Sequence, residues 1–324
     1  MTDSYRFDWA DLAFANKRPV KSLKAIFIMA PREISAQRFT QLVKEYLPQG
    51  NLVLGLAKEP YVLGFEDQPQ FKTLQAKQVA GIIDKVNRSK SAHKIYILDY
   101  SQNDTKYVIE NLGFKKFIGV NGSWQYAFHT KNIYYTLNAH DIPYQLVSPF
   151  CDEAEARSYQ KRLAKQLSLD LPTKDLSDEQ LLKLAQAAAK LSYDYNFQTG
   201  AVLSIKHKNA YKPLAAVHNK VVPFETYAMH NGALREKHLS PTHDLNHYDT
   251  IHAEAQLILW AQENRQSLKG TTLHINLLPC PPCARMLSQS GIDEVVYSLD
   301  HSDGYAIDLL QKTGKTVRRV VMIG

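Results

Sequence analysis

The stretch Ile251-His252-Ala253-Glu254-Ala255-Gln256-Leu257-Ile258-Leu259-Trp260 decides how this chain is read. The apolar run from Leu257 to Trp260, interrupted by Gln256 and Gln262, predicts a buried helix over 253–264. His252 then stands at the helix start, its ring free to reach a metal beside the helix end, while Glu254 points another way along the first turn. A second motif, Pro279-Cys280-Pro281-Pro282-Cys283, follows an expected strand at 272–277 and opens another helix. Cys280 and Cys283 are three apart, so one turn brings both sulfurs to one face. Pro281 and Pro282 fit only the first turn, where a missing N–H costs no intrahelical bond. The positive end of that helix favours thiolate over thiol.

One imidazole, two thiolates and a spare carboxylate are what a hydrolytic zinc site needs. Three protein ligands leave the fourth tetrahedral position open for water. Two other readings of the cysteines compete with this one. A redox pair at Cys280 and Cys283 calls for a thioredoxin-like βαβ setting. A structural zinc ribbon needs a second cysteine pair, and the chain holds 3 cysteines in all.

The order His-x-Glu, then Pro-Cys-x-x-Cys, is the signature of the zinc nucleobase deaminases. Residues 177–324 resemble the cytidine and deoxycytidylate deaminase superfamily over the whole catalytic domain. The resemblance implies a three-layer αβα domain with a mixed five-stranded sheet. His252, Cys280 and Cys283 would hold Zn2+, and Glu254 would shuttle protons as activated water displaces ammonia from the amine-bearing ring carbon. Ser177-Asp178-Glu179-Gln180 reads as a capping box opening a helix that runs to about Tyr193. Gly200-Ala201-Val202 resembles the family's strand start, and Asn219, after Ala215-Ala216-Val217-His218, falls where the family places a sugar-binding asparagine. Read without the family, Asn219 is a turn residue ending a strand. Ala253 joins Asn219 as an implied substrate contact. The elements after the cysteines, a strand at 294–299, a helix from about Asp303 to Lys312 and a strand at 316–322, imply a parallel crossover. That crossover resembles the deoxycytidylate, tRNA-adenosine and polynucleotide-editing branch.

Leu277-Leu278-Pro279-Cys280 lacks the glutamate that tRNA adenosine deaminases carry before Pro-Cys, and looks more like deoxycytidylate deaminases. The 219–251 insertion matches neither subfamily. It carries His230, His238, His243 and His247, which suit either a second metal site or, more simply, a polar, solvated loop.

The 324 residues, 44% of them hydrophobic, suffice for two cores. The start, Met1-Thr2-Asp3-Ser4-Tyr5-Arg6, reads as neither a signal peptide nor a membrane segment, and unpaired Cys151 suits a reducing, cytoplasmic setting. The expected division is residues 1–170 and 171–324. Upstream, strands and helices alternate: strands at 22–29, 51–56, 93–98, 116–120 and 144–148, and helices at 35–46, 71–86, 105–112 and 126–137. This predicts a Rossmann-like parallel α/β domain. It has no Gly-x-Gly-x-x-Gly and no P-loop, so no nucleotide cofactor is indicated. The turn Asn121-Gly122-Ser123-Trp124 is its best candidate site, although a plain turn into a helix is the simpler reading.

Charge is uneven. Residues 1–170 hold 23 Lys+Arg against 17 Asp+Glu, net +6, and residues 171–324 hold 16 against 15, net +1. A basic accessory domain with Trp124, Tyr126, Phe128, Tyr134 and Tyr135 suits phosphate contacts and base stacking. Three functions are therefore expected. The first is deamination of cytosine or adenine within nucleic acid, tRNA foremost. The second is deamination of a free nucleotide of the deoxycytidylate kind, with a regulatory or oligomerising N-terminal domain. The third is a silent binding protein on a deaminase scaffold. No membrane partner is expected, and the family resemblance implies a homo-oligomer.

Overall fold

The computed structural model describes residues 5–241, 244, 246–300 and 304–322. The chain divides into two units: Met1–Leu163 with Thr226–Tyr248, and Ala164–Glu225 with Asp249–Gly324. The division is therefore not a single cut at residue 170, because the insertion packs with the first unit.

Unit 1 is built on strands β1 (Arg6–Asp8), β2 (Ile26–Met29), β3 (Leu52–Ala57), β4 (Ile95–Tyr100), β5 (Lys116–Val120) and β6 (Tyr144–Val147). Their order is β1-β4-β3-β2-β5-β6, every pairing parallel. The helices are α1 (Trp9–Phe14), α2 (Arg18–Lys21), α3 (Ala36–Tyr46), α4 (Ala76–Arg88), α5 (Thr105–Leu112), α6 (Asn132–Ala139) and α7 (Glu153–Ala164), the last ending at the unit boundary. Strands β2 and β3 are buried at every position, as a sheet covered on both faces demands. Ile26, Ile28, Leu52, Leu54, Ile95 and Ile97 pack with Phe39, Leu42 and Val43 of α3 and Val79 and Ile83 of α4. On the opposite face Phe27 stacks on Phe114 with centroids 4.5 Å apart. Gly55 makes room for that ring, since a Cβ there would lie 2.7 Å from it.

Two expected helices begin late for local reasons. Pro69–Phe71 form a 3-10 turn, so α4 starts only at the Gln75/Gln78 capping box. Tyr126 has φ 66°, which breaks the expected 126–137 helix and leaves α6 to begin at Asn132. The aromatic group reads differently as well. Trp124 and Phe128 are buried, so they cannot stack bases, whereas Tyr126 and Tyr135 are exposed.

The insertion, with α9 (Tyr227–Asn231) and α10 (Leu234–Lys237), is packed rather than solvated. The buried Glu236 carboxylate accepts hydrogen bonds from Trp124 Nε1 at 2.7 Å and Phe128 N at 3.0 Å. His230 Nδ1 lies 2.8 Å from Ser148 Oγ, and the His238 and His247 rings stack at 4.1 Å. His243 lies outside the described residues. Among the described residues the insertion holds no cluster of three metal-ligating groups.

Unit 2 opens with α8 (Asp178–Ala189), then β7 (Gly200–His207), β8 (Ala210–His218) and β9 (Lys220–Val221), and resumes after the insertion at β10 (Thr250–Ile251). There follow α11 (Ala253–Glu263), β11 (Thr271–Leu277), α12 (Pro281–Ser288), β12 (Ile292–Leu299), α13 (Tyr305–Lys312) and β13 (Thr316–Arg319). The order β13-β12-β11-β7-β8 is mixed: the β12 pairings are parallel, and β7 runs antiparallel to both neighbours. A short β9–β10 ladder closes the gap left by the insertion. Asp303, the expected start of α13, lies outside the described residues.

Period-two alternation assigns the faces. Ala201 and Leu203 pack with Leu257, Leu273, Ile275, Leu287 and Leu310, while Val202 joins Leu181, Leu184 and Ala185 of α8. The result is the expected three layers. Each fully buried Leu or Ile contributes about 2 kcal/mol. Helix α8 sits so close to β7 that a Cβ on Gly200 would lie 2.0 Å from the Ala185 carbonyl oxygen. A polar clamp ties the same helix to the sheet. Asp178 accepts from the wholly buried His274 Nε2 at 2.8 Å and from Arg318 Nη1 at 2.9 Å, and Arg318 Nε reaches Glu294 at 2.6 Å. Among the described residues no helix is long and apolar enough to cross a membrane.

Candidate active site

Two helix starts build the site. His252 is the N-cap of α11 and Cys280 the N-cap of α12, both with extended backbone and neither with a side-chain capping bond. Their side chains are thereby free to turn toward one another. Pro281 and Pro282 occupy the first turn of α12 and place Cys283 one turn above Cys280. His252 Nδ1 lies 3.4 Å from Cys280 Sγ and 3.4 Å from Cys283 Sγ, and the three ligand atoms fall within 4.8 Å of one another. Both cysteines are buried, and His252 is partly exposed.

These residues fit zinc. With ordinary Zn–N and Zn–S bond lengths, the N···S edge of a tetrahedral site is about 3.6 Å, close to the separations found. Hydrogen bonding from Cys283 pulls the Cys280 thiol well below its usual range, and the same bond pushes Cys283 up. A dication at this point would hold both as thiolates.

Glu254, in the first turn of α11, is 3% exposed and its carboxyl reaches the Cys283 sulfur. Burial, with a smaller contribution from Cys280, pushes it up to about 7. A buried carboxyl on the ligand cluster, two residues from the imidazole, is placed to hold or give up a proton there.

The expected substrate contacts are placed differently. Ala253 is wholly buried and its methyl joins the sheet core, so what it offers at the site is its backbone at the helix start. Asn219 is also buried, with its amide engaged: Nδ2 donates to Asp194 Oδ2 at 3.2 Å and to Phe197 O at 2.9 Å, and Oδ1 accepts from Thr199 N at 2.9 Å. That leaves one acceptor lone pair on Oδ1 for a ligand donor.

Asp194 is the residue that sequence reasoning missed. It is 6% exposed, accepts from the backbone N–H groups of Asn196 and Phe197, and is pushed up to about 6 by burial. Hydrogen bonding to Cys280, with smaller contributions that include the Asp194 charge, raises His252 above its usual value. The available signal was Ser192-Tyr193-Asp194-Tyr195-Asn196, an Asx turn directly after a helix end.

Residues 176–299 match one family model, the cytidine and deoxycytidylate deaminase zinc-binding region. This part of the chain is similar to the zinc-binding region of the cytidine and deoxycytidylate deaminases. A deoxycytidylate deaminase of Enterobacteria phage T2 is 36% identical over 89 residues, which are 27% of this chain and 47% of the relative. A deoxycytidylate deaminase of Homo sapiens is 28% identical over 127 residues, 38% of this chain and 64% of the relative. The chain thus spans about half the length of the phage relative. Among solved structures, the apo dCMP deaminase of cyanophage S-TIM5 is 21% identical, with 44% of this chain and 96% of that chain covered and a TM-score of 0.32.

Proposed function

We propose that the chain is a zinc-dependent hydrolase that removes the exocyclic amine of a nucleobase carried by a free nucleotide, of the deoxycytidylate kind. The observation that carries this reading is the convergence of His252 Nδ1, Cys280 Sγ and Cys283 Sγ within 4.8 Å, with the Glu254 carboxyl buried against the same cluster. His252, Cys280 and Cys283 bind the metal. Zinc, when bound, supplies the positive charge that activates water for attack at neutral pH. Glu254 would take one proton from the attacking water and deliver it to the ring nitrogen, then carry the second, from the added hydroxyl, to the amine, which leaves as ammonia. The Asp194 carboxyl accepts from Asn219 Nδ2 and from the Asn196 and Phe197 N–H groups, and so fixes the Asn219 amide.

The free-nucleotide substrate is supported by relatives that bear the name deoxycytidylate deaminase. A second reading, action on a base within nucleic acid, is favoured by the +6 excess of residues 1–170 and by exposed Tyr126 and Tyr135. Incubation of zinc-loaded protein with dCMP, cytidine, single-stranded DNA and tRNA, followed by mass-spectrometric nucleoside profiling, separates the two. Conversion of dCMP alone supports the first, conversion confined to polynucleotide supports the second, and no conversion of any substrate refutes both.

A further inference from the structure

The sheet order of unit 1 reverses beside β2: β3 and β4 lie on one side of it, β5 and β6 on the other. In open parallel sheets ligands bind at such a switch point, in the crevice beyond the carboxyl ends of the strands. Here the chain sets its own insertion against those strand ends. After β2, the buried Arg32 donates from Nη1 to the Met229 sulfur of α9 at 2.9 Å. After β5, Trp124 Nε1 and Phe128 N both donate to the Glu236 carboxylate of α10. After β6, Ser148 Oγ lies 2.8 Å from His230 Nδ1. Gly122 permits the approach: its φ is 74°, and a Cβ there would lie 2.5 Å from Arg32 Nη1. Met229 and Glu236 are buried as a result.

The chain enters the insertion from unit 2 at Thr226 and returns to unit 2 after Tyr248. Just outside those points β9 and β10 pair, and Val222 N donates to Asp249 O at 2.9 Å. Asn219 is the residue before β9, and the zinc ligand His252 is the residue after β10. A ladder of two residue pairs is too short to persist by itself. Closing it over a long free loop also costs chain entropy that grows with the loop. An insertion already ordered by its contacts at three strand ends removes most of that cost.

We propose that the insertion is a strap: its docking at the switch point of unit 1 keeps the β9–β10 ladder closed and so fixes the wall between Asn219 and His252. Trp124 and Glu236 are positioning residues, which act on the site through that ladder alone. Their bond suits the task. A buried carboxylate that loses its donors is left with an uncompensated desolvation cost, so the docked strap is strongly preferred over a loosened one. The strap also gives a use to a switch point that carries neither Gly-x-Gly-x-x-Gly nor a P-loop.

Hydrogen–deuterium exchange of the full, zinc-loaded chain, read by mass spectrometry, tests this without any substrate. In Glu236→Ala, peptides spanning 219–225 and 249–252 should exchange about tenfold faster or more, while β11 keeps the parent's rate. Trp124→Phe, which removes one N–H and keeps a ring, should do the same more mildly and covers the case of a Glu236→Ala chain that fails to fold. A kinetic arm rests on the deaminase reading: KM for dCMP should rise by about tenfold in Glu236→Ala, with kcat at full zinc loading within about twofold of the parent's. Acceleration confined to 226–248, or spread equally to β11, overturns the proposal, as does an unchanged KM in a variant whose ladder opens. A parent that converts no dCMP, with the ladder response intact, sinks the deaminase reading and leaves the strap supported.

Discussion

His252 Nδ1 lies 3.4 Å from Cys280 Sγ, although 28 residues separate them. The contact exists because both residues are helix N-caps whose side chains are not used for capping. It follows that each ligand should be individually necessary. Cys280→Ser, Cys283→Ser and His252→Ala should each lower bound zinc from about one per chain to near zero, since two remaining ligands do not make a tight site. Elemental analysis of the purified variants checks this without any activity assay.

Glu254 gives the opposite pattern. Glu254→Gln leaves the three ligands in place, so zinc content should match the parent while turnover falls by about a hundredfold to ten-thousandfold, the contribution of a positioned proton carrier. Steady-state kinetics beside elemental analysis decides the point. Equal loss of zinc and activity would make Glu254 a ligand or a structural residue instead.

The Asp178 clamp predicts an acid dependence. A hydrogen bond from His274, followed by the Arg318 guanidinium, holds the Asp178 carboxyl well below its ordinary value of 3.8. A group that binds protons less readily when folded stabilises the fold above its unfolded value, and that stabilisation fades as pH falls through the lower folded one. Asp178→Asn should therefore cost about 2 kcal/mol at neutral pH and progressively less in strong acid. Urea unfolding at both conditions checks this, and a cost independent of pH would contradict it.

Two glycines should respond in opposite directions. Gly200→Ala puts a methyl against the Ala185 carbonyl and Ala189 N, forcing α8 off the sheet at about 3 kcal/mol. Gly81→Ala, in the interior of α4 with nothing within 4 Å, should instead stabilise by about 1 kcal/mol. Thermal unfolding of the pair tests whether α8 docks as closely as described.

The zinc cluster was legible in the sequence because its chemistry is local: each motif carries its own helix start, and the strands bounding them alternate with period two. Strands β5 at 116–120 and helix α5 at 105–112 were likewise read to the residue, since both are bounded by glycine or polar turn signals. What the sequence hid is long-range or backbone-determined. β1 is only three residues long and owes its place to pairing with β4 and to the Arg6–Asp99 ion pair at 2.6 Å. The delayed start of α6 depends on a left-handed Tyr126, which helix periodicity does not reveal. The insertion, with its four histidines, reads as a polar, solvated loop, yet the charged Arg235 and Glu236 within it are buried. Asp194 escaped notice because a single carboxylate in a turn has no spacing to mark it.

The most direct test of the account is release of uracil-containing product from dCMP by zinc-loaded protein, followed by mass spectrometry beside Glu254→Gln. The account predicts turnover by the parent and its near-complete loss in a variant that still holds zinc. No product from dCMP, single-stranded DNA or tRNA with a fully zinc-loaded parent would contradict it, and so would a Glu254→Gln variant that works as fast as the parent.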